Sequence, residues 1–162
     1  MACVLIVYHS ETGNTEKMAF EVAKGAEEAG AEVRLKKVEE ATNDDLIWAD
    51  GIIIGSPTYF GLPSAEIKKF IDESVSIRGK LENKIGAAFS SSGHRAGGRE
   101  STILSILQAL LIHGMVVCGD PLSVGGHYGA AAKGSPDEQA KKECRALGKR
   151  VAFLAEKLKK IV

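Results

Sequence analysis

The chain has 162 residues, with 21 Lys+Arg balanced by 21 Asp+Glu, and hydrophobic and charged residues make up 44% and 26%. That length suits one domain spanning 1–162, and that apolar content excludes a disordered chain. The zero formal charge argues against a broad nucleic-acid binder, and no apolar run approaches the roughly 20 residues needed to span a bilayer. Met1-Ala-Cys-Val-Leu-Ile-Val lacks a basic front and a small-residue cleavage site, so it reads as a strand and not as a signal peptide. Cys3, Cys118 and Cys144 are odd in number and without CxxC or Cys/His spacing, which argues against a disulfide framework and for packing as small hydrophobes in a reducing cytoplasm.

In chain order, Val4-Leu-Ile-Val-Tyr8 is a continuous β-prone run. Met18, Val22, Ala26 and Ala29 then recur at helical spacing, closed by Gly30 as C-cap. Glu32 to Lys37 alternates polar and apolar, as an exposed edge strand does. Thr42 to Trp48 is a short helix, with Thr42 and Asp45 placed for a capping box. Gly51 to Gly55, Ile85 to Phe89 and Met115 to Cys118 are continuous apolar runs, which suit strands covered on both faces. Helices are expected from Ser64 to about Val75 and from Glu100 to His113. The last helix is expected to open at Ser135-Pro136-Asp137-Glu138, burying Ala140, Cys144, Leu147, Val151, Leu154 and Leu158. The Gly-rich stretch from Val124 to Gly134 reads as a surface loop after the fifth strand. The sum is an α/β fold, a three-layer α/β/α sandwich around a five-stranded parallel sheet, with strand order 2-1-3-4-5.

Such sheets bind ligands outside the carboxyl ends of their strands, where the strand order reverses. Three loops there carry an unusual density of hydroxyls, glycines and aromatics. After the first strand, Ser10, Thr12, Gly13, Asn14 and Thr15 precede a helix, whose backbone N–H groups make an anion cradle. No lysine follows in Walker spacing and no GxGxxG is present, so the cradle suits a terminal phosphate monoester. The plainer alternative is that Asn14 or Thr15 merely caps the helix. After the third strand, Pro57, Thr58, Tyr59, Phe60 and Gly61 offer an aromatic face and an approachable backbone, unless the aromatics simply pack on Leu62-Pro63. After the fourth, Ser90, Ser91, Ser92, Gly93 and Gly98 supply donors for the edge of a flat ring. A planar, polar-edged ring on a phosphate tail satisfies all three loops.

Ser-Glu-Thr-Gly-Asn-Thr15 resembles the phosphate loop of flavodoxins. Pro57-Thr-Tyr-Phe-Gly61, Ser91 to Gly98 and His113-Gly-Met-Val-Val117 resemble the WrbA-type NAD(P)H:quinone oxidoreductases of the flavodoxin-like superfamily. The resemblance implies FMN as cofactor: Ser10, Thr12, Gly13, Asn14 and Thr15 on the phosphate, Pro57 to Gly61 along the isoalloxazine, and Ser90, Ser91, Ser92, Gly93 and Gly98 at its pyrimidine end and ribityl chain. It also implies His113 at the flavin, presented from a neighbouring subunit; the alternative is a helix C-terminal residue favoured by the dipole. NADH or NADPH as donor, a quinone or other small acceptor, and a homodimer or homotetramer follow from the same resemblance. The chain departs from the WrbA pattern in having Tyr59 for an arginine and Thr12 for a tyrosine, in lacking a tryptophan before the fourth strand, and in being shorter.

The other flavodoxin-like role is one-electron carriage between redox proteins. His94, Arg95 and Arg99 put positive charge in the third loop, which favours two-electron chemistry, unless the arginines point to solvent. His9 and His127 are further candidate ring neighbours, and Tyr128 a candidate gate. No metal-ligand constellation appears at recognised spacing. A phosphate-receiver module would need an acid ending the third strand, where Gly55-Ser56 stands, so a non-redox nucleotide-binding module is the remaining alternative class.

Overall fold

The computed structural model describes residues 1–162. β1 (Cys3–Tyr8), β2 (Glu32–Lys37), β3 (Gly51–Tyr59) and β5 (Ile85–Ser92) run parallel in the order β2-β1-β3-β5, with β4 (Leu62–Pro63) as a small antiparallel return on β3. Helices α1 (Asn14–Glu28), α2 (Asn43–Trp48), α3 (Ala65–Glu73), α4 (Arg99–Ile112) and α5 (Glu138–Lys159) lie between and after the strands. The parallel α/β sandwich and its strand order are as the sequence pattern predicts.

The period-two geometry of a strand splits the core in two. Along β1, Val4, Ile6 and Tyr8 face α1 and α5, while Leu5 and Val7 face α2, α3 and α4. Along β3, Ile53 goes to the first side and Ile52 and Ile54 to the second. Both faces are thus dry, which is why these strands read as unbroken apolar runs. Each such side chain contributes about 1.5–3 kcal/mol by leaving water. β2 is the edge, half-exposed along its length. Its Arg34 and Lys36 reach back to the Asp45 carboxylate at 3.1 and 2.8 Å, and Arg34 stacks 3.9 Å over Trp48. Asp45 also closes the expected capping box with Thr42. Burial alone would push that carboxyl up, but its bonds to Lys36, Thr42 and Arg34 outweigh burial and hold it below the usual carboxylate range.

The fifth position of the sheet differs from expectation. It is filled by two pieces, β6 (Val116–Val117) beside Ile85 and Gly86, and β7 (Ala130–Lys133) beside Phe89 to Ser92. The stretch from Val124 to Gly134 is therefore not loop throughout, since its Ala130–Lys133 portion completes the strand. Between the pieces the chain leaves the sheet and is held by Asp120. Its buried carboxylate accepts from the N–H groups of Gly126 and His127 at 3.1 and 3.0 Å, and Arg150 donates to the Gly119 and Asp120 carbonyls.

The last helix also starts later than its motif suggested. Asp137, not Ser135, is the N-cap, accepting from the Ala140 N–H at 2.8 Å. Its buried stripe is Ala140, Cys144, Leu147 and Val151, joined by Gly148, Ala152 and Ala155, while Leu154 and Leu158 sit at the margin of the core. No helix is long and apolar enough to cross a membrane.

Candidate functional site

The loop between β1 and α1 is built around Ser10, whose Oγ accepts from the N–H groups of Gly13 and Glu16 at 3.1 and 3.3 Å. Gly13 occupies the N-cap position with φ +93° and open space around it, so glycine is needed for backbone conformation alone. Gly13 offers no side chain to the first turn of α1, and Ser10 rather than Asn14 or Thr15 accepts a hydrogen bond there. The backbone N–H groups of Ser10, Glu11, Thr12, Asn14 and Thr15 make no hydrogen bond within the chain. Five free donors at the positive end of a 15-residue helix are a site for an anion.

The buried Thr15 hydroxyl lies 2.9 Å from that of Ser91, joining the first loop to the third. Thr58 Oγ1 lies 2.8 Å from Ser90 Oγ, joining the second to the third. The second loop turns at Phe60 and Gly61, with φ +52° and +74°, between Tyr59 and Leu62, which pair across the hairpin. Two successive left-handed residues make the type I′ hairpin geometry. Phe60 is fully exposed and Tyr59 about half so; neither is used up packing on Leu62-Pro63. A left-handed phenylalanine costs on the order of 1 kcal/mol, the kind of strain that collects at ligand sites. In the third loop Ser92 Oγ donates to the His94 carbonyl at 2.7 Å. Gly98, at φ +97°, lies so close to Gly61 that a methyl group would meet its Cα at 2.7 Å. Ser101 Oγ sits 2.7 and 2.9 Å from the Gly61 and Gly98 carbonyls and pins the two loops together.

Between the loops is a hollow of about 250 Å³. Glu11, Thr12, Asn14 and Thr15 line it from the first loop, Pro57, Thr58 and Tyr59 from the second, and Ser91, Ser92 and Gly93 from the third. The rim is electrostatically lopsided. His94 and Arg95 are exposed on one side, with Arg99 half-buried and donating to the Arg95 carbonyl. Glu11 and Glu66 stand on the other, beside Tyr59, whose phenol is pushed up by burial and by these two carboxylates.

His113 is not brought to this hollow. It is the C-cap of α4, whose first residues belong to the third loop, so it lies about 21 Å away, one 14-residue helix length. Its Nε2 is 2.7 Å from Ser74 Oγ, and burial, aided by Arg78, holds its imidazole below the usual histidine range. The helix-end alternative describes its place within one chain. Sequence reasoning missed Glu11 in the lining and Ser101 as the tie. Ser101 follows Gly98 by three residues, the spacing of a first-turn hydroxyl, and that was the available signal.

Fold and hollow together have the form of a flavodoxin-like protein, with the hollow at the carboxyl edge of the sheet. Residues 36–129 match the family described as NADPH-dependent FMN reductase. A flavodoxin of Aquifex aeolicus is 47% identical over 159 residues, which take in 94% of this chain and 86% of the relative. An NAD(P)H dehydrogenase (quinone) of Archaeoglobus fulgidus is 40% identical over 190 aligned positions, covering 98% and 100%. The solved structure of the flavodoxin, WrbA-like protein from Agrobacterium tumefaciens superposes with a TM-score of 0.82 at 30% identity, over 97% of this chain and 99% of that one. The chain belongs to the NADPH-dependent FMN reductase family.

Proposed function

We propose that the protein holds FMN between the three loops and works as an oxidoreductase, taking electrons from NADH or NADPH and passing them to a quinone or another small acceptor. The observation that carries this reading is the row of unbonded N–H groups around Gly13, which matches a phosphate monoester in charge and shape. Ser10, Thr12, Gly13, Asn14 and Thr15 then hold the phosphate. Pro57, Thr58, Tyr59, Phe60 and Gly61 lie along the ring, and Ser90, Ser91, Ser92, Gly93 and Gly98 line its polar edge and the ribityl chain. Bound FMN supplies the electron acceptance and release, in one- or two-electron steps. The chain supplies orientation, through hydroxyls tied across the loops, and a charge bias, through His94, Arg95 and Arg99. The name of the Archaeoglobus relative favours the quinone-reducing form.

The test is fluorescence titration of FMN with the protein, then NADH and NADPH oxidation with a quinone. Saturable quenching and donor-dependent turnover are expected. A yellow protein without turnover selects the second reading, a one-electron carrier, which the 47% identical flavodoxin favours. Neither quenching nor a raised melting point with FMN overturns both. A homodimer or homotetramer belongs to the first reading, because only a neighbouring copy brings His113 to a flavin. Leu104, Leu111 and Ile112 form an exposed apolar face on α4 for that contact, and light scattering measures it. A cytoplasmic location, in keeping with three free cysteines, belongs to it as well.

A further inference from the structure

His9 follows β1 at the root of the first loop, and its N–H is fixed to the Gly55 carbonyl at 3.1 Å. Its side chain is only 7% exposed, yet Nδ1 is buried without a hydrogen-bond partner. Two carboxylates converge on the ring: Glu66 Oε2, from the first turn of α3, stands 3.5 Å from Nδ1, and Glu11 Oε1 stands 3.6 Å from Nε2. One ligand atom from each residue falls within 4.8 Å of the others. Neither Glu11 nor Glu66 has a lysine or arginine within 4.0 Å, so no cationic side chain competes for either carboxylate. The contacts to His9 are longer than good hydrogen bonds.

We infer that His9, Glu11 and Glu66 form a binding site for one divalent transition-metal ion, joining the first loop to α3. One imidazole with two carboxylates is a donor set for Zn²⁺ and its neighbours, with a further position open to water. Ligand atoms about 2.0–2.2 Å from the ion must close in from their present spacing. One ion takes one imidazole nitrogen, the unpartnered Nδ1 beside Glu66, whose side chain is 46% exposed; Glu11, 61% exposed, swings across from the Nε2 edge to join it. The ion adds positive charge at the acidic side of the rim and draws Glu11 toward α3. Sequence spacing hid the cluster because Glu66 is far from His9 and Glu11 in the chain. The inference stands apart from the FMN reading.

The test is calorimetric titration of the EDTA-treated full chain with ZnCl₂, with and without FMN, alongside Co²⁺ absorption spectra. One saturable equivalent is expected in both states, with ligand-field bands in the visible for Co²⁺. Glu66→Gln and Glu11→Gln each lower Zn²⁺ affinity by at least ~10-fold, the loss that even an outer-shell partner of a metal ligand incurs. Both are exposed positions, and circular dichroism verifies that the variants fold. Glu39→Gln and Glu73→Gln, which share the adjoining hollow with Glu66, leave the affinity unchanged. Absence of saturable uptake, uptake indifferent to Glu11 and Glu66, or equal losses in all four variants overturns the inference. FMN quenching on the same samples reads the flavin site separately, so either assignment can fail alone.

Discussion

The contact between α1 and α5 and the first loop of the rim both depend on glycine, for opposite reasons. In the helix pair, a methyl group on Gly148 would lie 2.0 Å from the Val22 carbonyl oxygen, and one on Gly25 would lie 2.0 Å from that of Arg145. Those glycines have ordinary helical backbones; what they provide is close approach. At the rim, Gly13 has space in every direction and is required by its φ of +93°. The helix pair is closely packed and flanked by the Arg145–Glu21 and Lys149–Glu28 ion pairs, and the rim keeps N–H groups unbonded and holds Phe60 in a left-handed conformation. Strain and unspent donors persist at the rim because the interior over-determines the positions of the strands that carry it.

Substitutions should separate the two regions. Gly148→Val gives the largest effect, a loss of about 3 kcal/mol from overpacking, read as a lowered urea midpoint. FMN affinity of the molecules that remain folded is expected to be unchanged. Asp45→Asn comes next, costing about 2 kcal/mol near neutrality, a figure reduced for the partial exposure of Arg34 and Lys36. Its pH dependence gives a sharper reading. A carboxyl held below its ordinary value in the folded chain stabilises above the unfolded pKa, and that stability is lost as pH falls through the folded value. Below pH about 4 the wild-type midpoint should therefore fall more steeply than that of Asp45→Asn. Thr15→Val leaves the buried Ser91 hydroxyl without its partner and costs about 1 kcal/mol. Here FMN affinity is expected to fall together with stability, since Thr15 lines the hollow as well. The smallest effect has the opposite sign: Phe60→Gly relieves the turn and gains about 0.5 kcal/mol, the balance of strain released and backbone entropy lost. It is expected to weaken FMN binding, and a gain in both would remove Phe60 from the site.

Most of the fold was legible because its strands are covered on both sides, so Val4 to Tyr8 and Gly51 to Gly55 stand out as apolar blocks. The hollow was legible because its loops follow those blocks directly. β7 was not, for a physical reason: Ala130-Ala-Ala-Lys133 has no β-branched or aromatic residue, and its extended form comes from pairing with Phe89 to Ser92. The start of α5 was misplaced because Ser135-Pro136 imitates a cap and first turn, while Asp137 holds the bond to Ala140. His113 was placed by likeness to other sequences, and a residue's distance from a site in its own chain is not written in a local motif. Glu66 shows the same limit, since only folding sets it beside His9.

The divided fifth strand has a consequence for the behaviour of the molecule in concentrated solution. An uninterrupted outer strand is a template on which another polypeptide can continue the sheet and begin aggregation. Here one border is cut into runs of two and four residues by the segment held on Asp120, and the opposite border is β2, studded with Arg34, Lys36 and Lys37. Neither border presents the long, flat, uncharged ribbon that stacking from molecule to molecule requires.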